Sequence, residues 1–430
     1  MGGSPERGGG RAIRRRPSPT PSTSRSKAAL RSSDVLPLLS DVRIVDLSTI
    51  VLGPYATATL ADLGAQVIKI EPPGGDLYRA APPSRHPGMG APFLSINRGK
   101  RSLCLDLTTE SGRQVLGRLA DSADVVIHNM LPRVAEKLGV DGDTLRADRP
   151  RLIHCVTPGF GSDGPDADAP AYDDVIQGRM GLASLLTDSD GSPRLVPTTL
   201  ADKVTGLHAA IAVLGALHHR DVTGEGTSIE VPMLETMTGF LLAEHMGGRA
   251  FEPPLGPPGY NRLLNPHRRP HATRDGHIVL LPYSARHWES LLELVDERVD
   301  SDWVMDAEQR SRRIEELYAL VGRLMPTRST DEWLEVLSDR GIPAGRVSDL
   351  ADLFDDPQLR AVEFFRRVEH PSEGAIVETR PGLRVRDLPD RPGRPAPRFG
   401  EHGREILSEL GYSEEDTADL IASGAVWVPA

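Results

Sequence analysis

Cysteine is nearly absent from this sequence, with only Cys104 and Cys155 in 430 residues. Both lie in apolar, strand-like stretches, SLCLDL and LIHCVTPG, where a cysteine acts as a small buried hydrophobe. That excludes a disulfide framework and fits a reducing cytoplasm as the expected compartment. No stretch approaches the roughly 18 to 20 uninterrupted apolar residues of a membrane helix. The longest apolar run, after Asp202, is interrupted by Gly206, His208, His218, His219 and Arg220, so no membrane span is expected. Metal-binding spacings are missing as well: there is no C-x-x-C or H-E-x-x-H, and adjacent His218 and His219 would point about 100° apart on a helix. The G-x-S-x-G turn of serine hydrolases does not occur. The first strand-to-helix turn, STIVLGPYA, offers only Gly53 before Pro54 and so lacks the G-x-G-x-x-G of a dinucleotide site.

Lysine is scarce, 5 residues against 45 arginines, so the arginines near the start of the chain carry little targeting information. Residues 1–33 are rich in Arg, Pro, Ser and Gly and hold eight basic side chains against Glu6. A disordered extension reaching residue 37 is expected there, rather than a transit peptide. The net charge is −11, and the +7 of this tail leaves −18 on the remainder, which argues against nucleic acid as the main partner.

The remaining chain reads as a soluble α/β protein. VRIVDLS, a turn, YATATLADLGA and QVIKIE give strand, helix and strand within residues 42–71, a βαβ unit whose ligand-binding edge lies at the carboxyl ends of its strands. SLCLDL, a helix over 108–120, DVVIHNM, VAEKLGV and RLIHCVTPGF repeat the alternation and predict a doubly wound sheet. Residues 246–270 are dense in Gly and Pro and mark a linker or loop entering a second domain. The expected organisation is a large Rossmann-like domain over 38–245, a smaller α+β domain over 246–335, and a return segment over 336–425 that completes the large domain.

Asp202 stands before a Gly- and Ala-rich helical run, DKVTGLHAAIAVLGALHHR. As an N-cap it would be structural; as a carboxylate facing the N–H groups of a helix start it would stay ionised and could act on a substrate. Both roles are open from the residues alone. Gly206, Ala209, Ala210 and Ala212 predict a helix packed closely against a neighbour. Glu71, at the end of the second strand, is either a ligand-binding acid or a solvated or capping one. His128 and His154 lie in strand-like segments and read as core or rim histidines.

Several long segments carry a resemblance. RIVDLSTIVLGPYATATLADLGAQVIKIEPPGGDLYR, FLSINRGKRSLCLDLTTESGRQVLGRLADSADVVIHNMLPRVAEKLGV, AYDDVIQGRMGLAS and GIPAGRVSDLADLFDDPQL, in this order from about residue 38 to 425, are similar to the family III CoA-transferases. That family includes formyl-CoA and crotonobetainyl-CoA transferases, with 2-methylacyl-CoA racemases as close relatives. The resemblance implies that Asp202, in the Ala201-Asp202 step, is the nucleophile. It implies CoA contacts at Val51, Leu52 and Gly53, with Glu71, Leu105, Lys137 and Leu138 as further members of the CoA site. The N-x-x-K-R segment matches Asn97, Lys100 and Arg101, whose alternative role is structural pairing with acids. Tyr172 and Asp173 match the segment that holds an acid/base or substrate contact, but the histidine that precedes the racemase aspartate is Tyr172 here. The residue after Glu71 is Pro72, which removes a basic CoA contact of some transferases. The glycine-rich closing loop of formyl-CoA transferase is replaced by PPLGPPGYNRL.

The function the resemblance implies is transfer of CoA from an acyl-CoA thioester to a free carboxylic acid through acyl-aspartyl and aspartyl-CoA intermediates on Asp202. The alternatives are a racemase using Asp173 and a CoA-binding homologue without catalysis. CoA thioester is expected as substrate, with no permanently bound cofactor and no metal. The resemblance also implies an interlocked homodimer. Arg262, Arg268 and Arg269 are candidates for holding a second carboxylate of a dicarboxylic substrate.

Overall fold

The computed structural model describes residues 34–187, 190–295, 302–388 and 391–429. Residues 1–33, most of the expected disordered extension, lie outside the described residues. From residue 34 the chain already belongs to the fold: Asp34–Val35 pairs antiparallel with Arg391–Pro392, and Leu36 is buried.

Seven strands build the large sheet: β1 (Arg43–Asp46), β2 (Gln66–Glu71), β3 (Lys100–Leu105), β4 (Val125–His128), β5 (Ile153–Val156), β6 (Ser228–Glu230) and β7 (Val426–Trp427). Their order is β7-β3-β2-β1-β4-β5-β6. β1 to β6 run parallel, and β7 pairs antiparallel with the edge of β3. β3 and β4 are buried along their whole length, as strands covered on both faces must be. The strand order reverses between β1 and β4, and the crevice outside their carboxyl ends is where doubly wound sheets bind ligands.

Three helices position that crevice: α1 (Leu52–Asp62), α2 (Asp173–Arg179) and α3 (Leu200–Thr223). Ile44, Val67, Val125 and Ile153 of the sheet pack beneath Ala56 and Leu60 of α1 and Ala209, Ala210, Val213 and Leu217 of α3. The opposite face, with Val45, Ile68, Leu103 and Val126, is covered by Leu116 and Leu119 of the helix Glu110–Asp121 and by Ile406 and Leu407 near the chain's end. The C-terminal segment thus packs on the large sheet. Among the described residues, α3 alone is long and apolar enough to cross a membrane. One face, with Ala209, Ala210, Val213 and Leu217, packs on the sheet and α1, while Leu207, Ile211 and Val222 stay exposed.

The small residues of α3 have the predicted purpose. A Cβ on Gly206 would fall 2.7 Å from the Leu52 carbonyl oxygen of α1, a backbone atom that cannot yield. Glycine therefore sets the distance between the helix that carries Asp202 and the turn that precedes α1.

The smaller unit is a three-stranded antiparallel sheet, with His277–Leu280 between His271–Ala272 and Ala344–Arg346. Its core is built on Ile278, Trp288, Tyr318, Trp333 and Leu337. The strand Ala344–Arg346 extends this unit past the expected boundary at 335. GIPAGRV is too short and too rich in Gly and Pro to read as a strand, and only its pairing with residues 278–280 makes it one. Phe365–His370 and Gly374–Thr379 form an antiparallel hairpin.

Gly206→Ala should cost about 1–3 kcal/mol through overpacking against Leu52. Gly215→Ala, in the same helix with no atom within 4 Å of the added carbon, should instead gain up to about 1 kcal/mol of helix propensity. Chemical denaturation of the two variants checks the contrast, and equal effects would contradict the close-approach argument.

Candidate active site

The site begins with charges sealed inside the sheet's carboxyl edge. Asp46, the last residue of β1, is fully buried. Its Oδ1 accepts the Ser48 N–H at 3.0 Å and a short bond from Ser48 Oγ; its Oδ2 accepts Thr57 Oγ1 at 2.6 Å and Lys100 Nζ at 3.1 Å. Burial alone would raise this carboxyl, but Lys100 and Lys69, with the Ser48 and Thr57 hydroxyls, hold it below the usual range. Burial and the repulsion of Lys69 push Lys100 down to about 8 against the pull of Asp46. Lys100 also donates to Asn97 Oδ1 at 2.9 Å and the Pro54 carbonyl at 2.9 Å. Arg101 pairs with Glu405 and Glu409. The N-x-x-K-R segment is thus structural. Gly53 belongs to the same arrangement, because a Cβ there would lie 2.2 Å from the Ser48 side chain.

The turn between β1 and α1 is clamped from the other side by Asn129, which follows β4. Its Oδ1 accepts the Thr49 N–H and its Nδ2 donates to the Thr49 carbonyl, both at 3.1 Å. Together these elements shape a cleft of about 210 Å³ lined by residues 49–52, Asn129, Leu131, residues 157–159 and 170–172, Met233 and Asp202. A larger cavity, about 560 Å³, is lined by Arg268 and Arg269 and lies in the smaller unit; it shares no lining residue with this cleft. Arg262 stacks on Tyr283 and donates to Tyr318 Oη at 3.2 Å. None of the three arginines lines the Asp202 cleft.

Asp202 is the third residue of α3, inside the first turn, so it is not the N-cap; that position belongs to Thr199. Among the described residues no donor reaches its carboxylate. Its backbone N–H donates to Asp173 Oδ1 at 3.0 Å. Asp173, the first residue of α2, is buried, and its Oδ2 accepts Gln177 Nε2 at 2.5 Å. Gln177 also accepts the Val196 N–H at 2.8 Å and donates to the Thr198 carbonyl at 3.2 Å, tying α2 to the segment that leads into α3. Asp173 is thereby a capping group for the helix that presents Asp202. The sequence reading did not find Gln177, although its i, i+4 spacing from Asp173 is the signal that could have done so.

The helix start does not keep Asp202 ionised as expected. Burial, followed by the negative charges of Asp173 and Asp174, pushes its carboxyl up to about 7, with Lys203 opposing. The helix-start donors that would favour the charge are otherwise engaged: the N–H of Asp202 serves Asp173, and that of Lys203 donates to Thr199 at 3.3 Å.

Other residues of the expected site are placed differently. Val51 and Leu52 line the cleft. Tyr172 lines it and is largely exposed. Glu71 is fully buried, bound by Arg79 at 2.6 and 2.7 Å and by Ser102 Oγ at 2.7 Å, and does not line the cleft. Leu105, the last residue of β3, is buried. Lys137 is exposed on the short helix Pro132–Leu138, and Leu138 packs partly on the core. Cys104 and Cys155 are buried, and burial pushes each thiol up to about 12. His128 and His154 meet at 3.0 Å between Nε2 atoms inside the fold, and burial pushes His128 down to about 3.

A carboxyl raised by folding favours the folded state fully below its unfolded value near 4 and loses that contribution as the pH rises through about 7. Asp202→Asn should therefore melt at a higher temperature than the unaltered protein at pH 8, with the difference closing toward pH 4. Thermal denaturation across this range tests it, and a pH-independent difference would count against the raised carboxyl.

Residues 39–403 match the model of CoA-transferase family III. The chain is 33% identical to the succinyl-CoA:mesaconate CoA-transferase of Haloarcula hispanica, over 87% of this chain and 96% of that protein. It is 32% identical to the succinate--glutarate CoA-transferase of Agrobacterium fabrum, over 87% and 96% of the two chains. The crystal structure of a CAIB/BAIF family protein from Brucella suis superposes with a TM-score of 0.73 at 32% identity, covering 87% of this chain and all of that one, 100%. With the doubly wound sheet, the cleft at its switch point and matches that span most of the sequence, the chain belongs to CoA-transferase family III and is an enzyme of the CoA-transferase class.

Proposed function

We propose that Asp202 is the nucleophile that carries the acyl group and then CoA between an acyl-CoA and a free carboxylic acid. The observation that carries this reading is a carboxylate with no donor among the described residues, half-buried in a cleft at the carboxyl ends of β1 and β4. An Asp202 oxygen attacks the thioester carbonyl, the carbon–sulfur bond breaks, and CoA leaves as thiolate. The resulting acyl-aspartyl anhydride is attacked at the aspartyl carbon by that thiolate, which releases the first acid as its carboxylate and leaves an aspartyl-CoA thioester. The acceptor carboxylate then attacks this thioester, and the returning thiolate takes the new acyl group and frees Asp202. Each step exchanges one acyl bond for another, which is covalent catalysis without a net change in ionisation.

A carboxylate is a weak nucleophile, so geometry must supply the rate. Holding the reacting groups in line is worth roughly 7 to 11 kcal/mol, and each preorganised oxyanion donor about 3 to 4 kcal/mol. Burial removes the water that would otherwise solvate Asp202, and the charges of Asp173 and Asp174 make its ionised form more reactive. The first N–H groups of α1 have no acceptor inside their own helix. Val51 and Leu52, which open that helix, line the cleft and are the donors best placed for the developing oxyanion. Lys137, exposed beyond Asn129, is available for a CoA phosphate.

A racemase needs two free acid/base groups on opposite faces of an α-carbon. Asp173 is committed to the Asp202 N–H and to Gln177, and no histidine precedes it, which favours transfer over racemisation. The donor and acceptor belong to the acyl-CoA and carboxylic acid classes. A homodimer with interlocked chains is part of this reading; tagged and untagged dimers mixed in native buffer should form no hybrids over hours, and rapid hybrid formation would refute interlocking.

Hydroxylamine added with an acyl-CoA, tried over succinyl-, formyl-, glutaryl- and longer-chain thioesters, should leave a hydroxamate on the peptide that contains Asp202. The trapping rate should rise with pH through about 7 and then level, because only the ionised carboxylate attacks. Asp173→Asn removes one like charge and should move that midpoint to lower pH. Modification of a different residue, or full turnover by Asp202→Asn, would overturn the assignment.

A further inference from the structure

Ile50 has φ of +69°, a left-handed conformation that a β-branched residue rarely adopts. It sits in the middle of the turn that lines the Asp202 cleft. The group that holds it there is Asp76, which none of the expected site residues included. Asp76 is buried, and its side chain pairs with Lys69 Nζ at 2.8 Å with no exposure of either side chain. Its two oxygens share the Ile50 N–H at 3.1 and 3.2 Å. Oδ1 also accepts the Tyr78 N–H at 2.9 Å, capping the short helical turn Leu77–Ala80. One carboxylate thus joins two chain segments, 26 residues apart at Ile50.

The Ile50 segment bears on Asp202 directly. The Ile50 turn forms the wall of the cleft that holds Val51 and Leu52. Burial, then the negative charges of Asp202 and Asp76, hold the Tyr78 hydroxyl above its usual range. Lys69 fixes the adjoining Ser48 carbonyl at 3.0 Å, and Asn129 fixes Thr49. Asp76 is the remaining anchor and the one that opposes the preference of Ile50 for negative φ. Without it, Ile50 relaxes, and the N–H groups of residues 51 and 52 turn away from the acyl carbonyl.

Resting on the reading of Asp202 as nucleophile, we propose that Asp76 is a positioning residue for acyl transfer. It keeps Ile50 left-handed, so that the wall of the cleft formed by residues 49–52 meets the thioester in register.

The test uses hydroxamate formation on Asp202 in the full chain, with the acyl-CoA that the unaltered protein uses best. Asp76→Asn, which keeps an acceptor but loses the charge that grips both segments, should lower the trapping rate at saturating acyl-CoA at least tenfold. Ile50→Gly is at ease at positive φ. The double variant Ile50→Gly/Asp76→Asn should therefore trap within about threefold of Ile50→Gly alone. Should Asp76→Asn fail to fold, the double variant decides: folded and active, it supports the proposal; folded and tenfold or more below Ile50→Gly, it overturns it. Equal trapping by Asp76→Asn and the unaltered protein, or losses that simply multiply in the double variant, also overturn it. Absence of any hydroxamate on Asp202 in the unaltered protein is a separate result, which removes the nucleophile itself.

Discussion

The structure depends on charges that have no access to water at the carboxyl edge of the sheet. Asp46 with Lys100, Lys69 with Asp76, and Glu71 with Arg79 are closed pairs whose acids stand at the ends of β1 and β2 and in the turn that follows β2. Such pairs are costly to bury, and removing one partner costs about 3–5 kcal/mol because the other is left stranded. Every pair therefore needs its full set of hydrogen bonds. Those bonds go to the backbone of residues 48 and 50, to Ser48 and Thr57, and to the Pro54 carbonyl. The cleft's turn is thus shaped by the need to satisfy buried charge, and it cannot be re-aimed without exposing or orphaning an ion.

Against that background Asp202 is the exception. Asp46 and Asp202 are the same side chain, yet one is held below the ordinary range and the other is raised to about 7. The difference lies in the company each keeps: two ammonium groups and two hydroxyls for Asp46, two carboxylates and little else for Asp202. Surroundings alone thus pull the proton affinities of two identical side chains apart. The close approach allowed by Gly206 brings the two environments side by side, since it sets α3 against the Leu52 carbonyl directly behind the turn.

Much of the fold was legible because it rests on local pattern. The alternation of apolar strands and helices announced the parallel sheet, and the small residues of α3 announced a close helix contact. Elements whose identity depends on a distant partner were not legible: β7 exists through its pairing with β3, and Ala344–Arg346 through its pairing with residues 278–280. The site was read with similar unevenness. The Ala201-Asp202 step and the turn at Val51 and Leu52 stand out in sequence and meet in space. Glu71 misleads, because an acid at a strand end looks the same whether it faces a ligand or, as here, an arginine eight residues along the chain.

The sequence by itself determined the layer architecture, the placement of a carboxylate at the start of a Gly- and Ala-rich helix, and the absence of motifs for metals, dinucleotides or serine nucleophiles. Periodicity and motif spacing are properties of the chain and need no partner. Only the tertiary structure decided the proton affinity of Asp202, the conformation of Ile50 and the separation of Arg268 and Arg269 from the cleft. Each of these is set by groups brought together from remote parts of the chain, and a field, a buried charge or a shared cavity has no signature in any one segment.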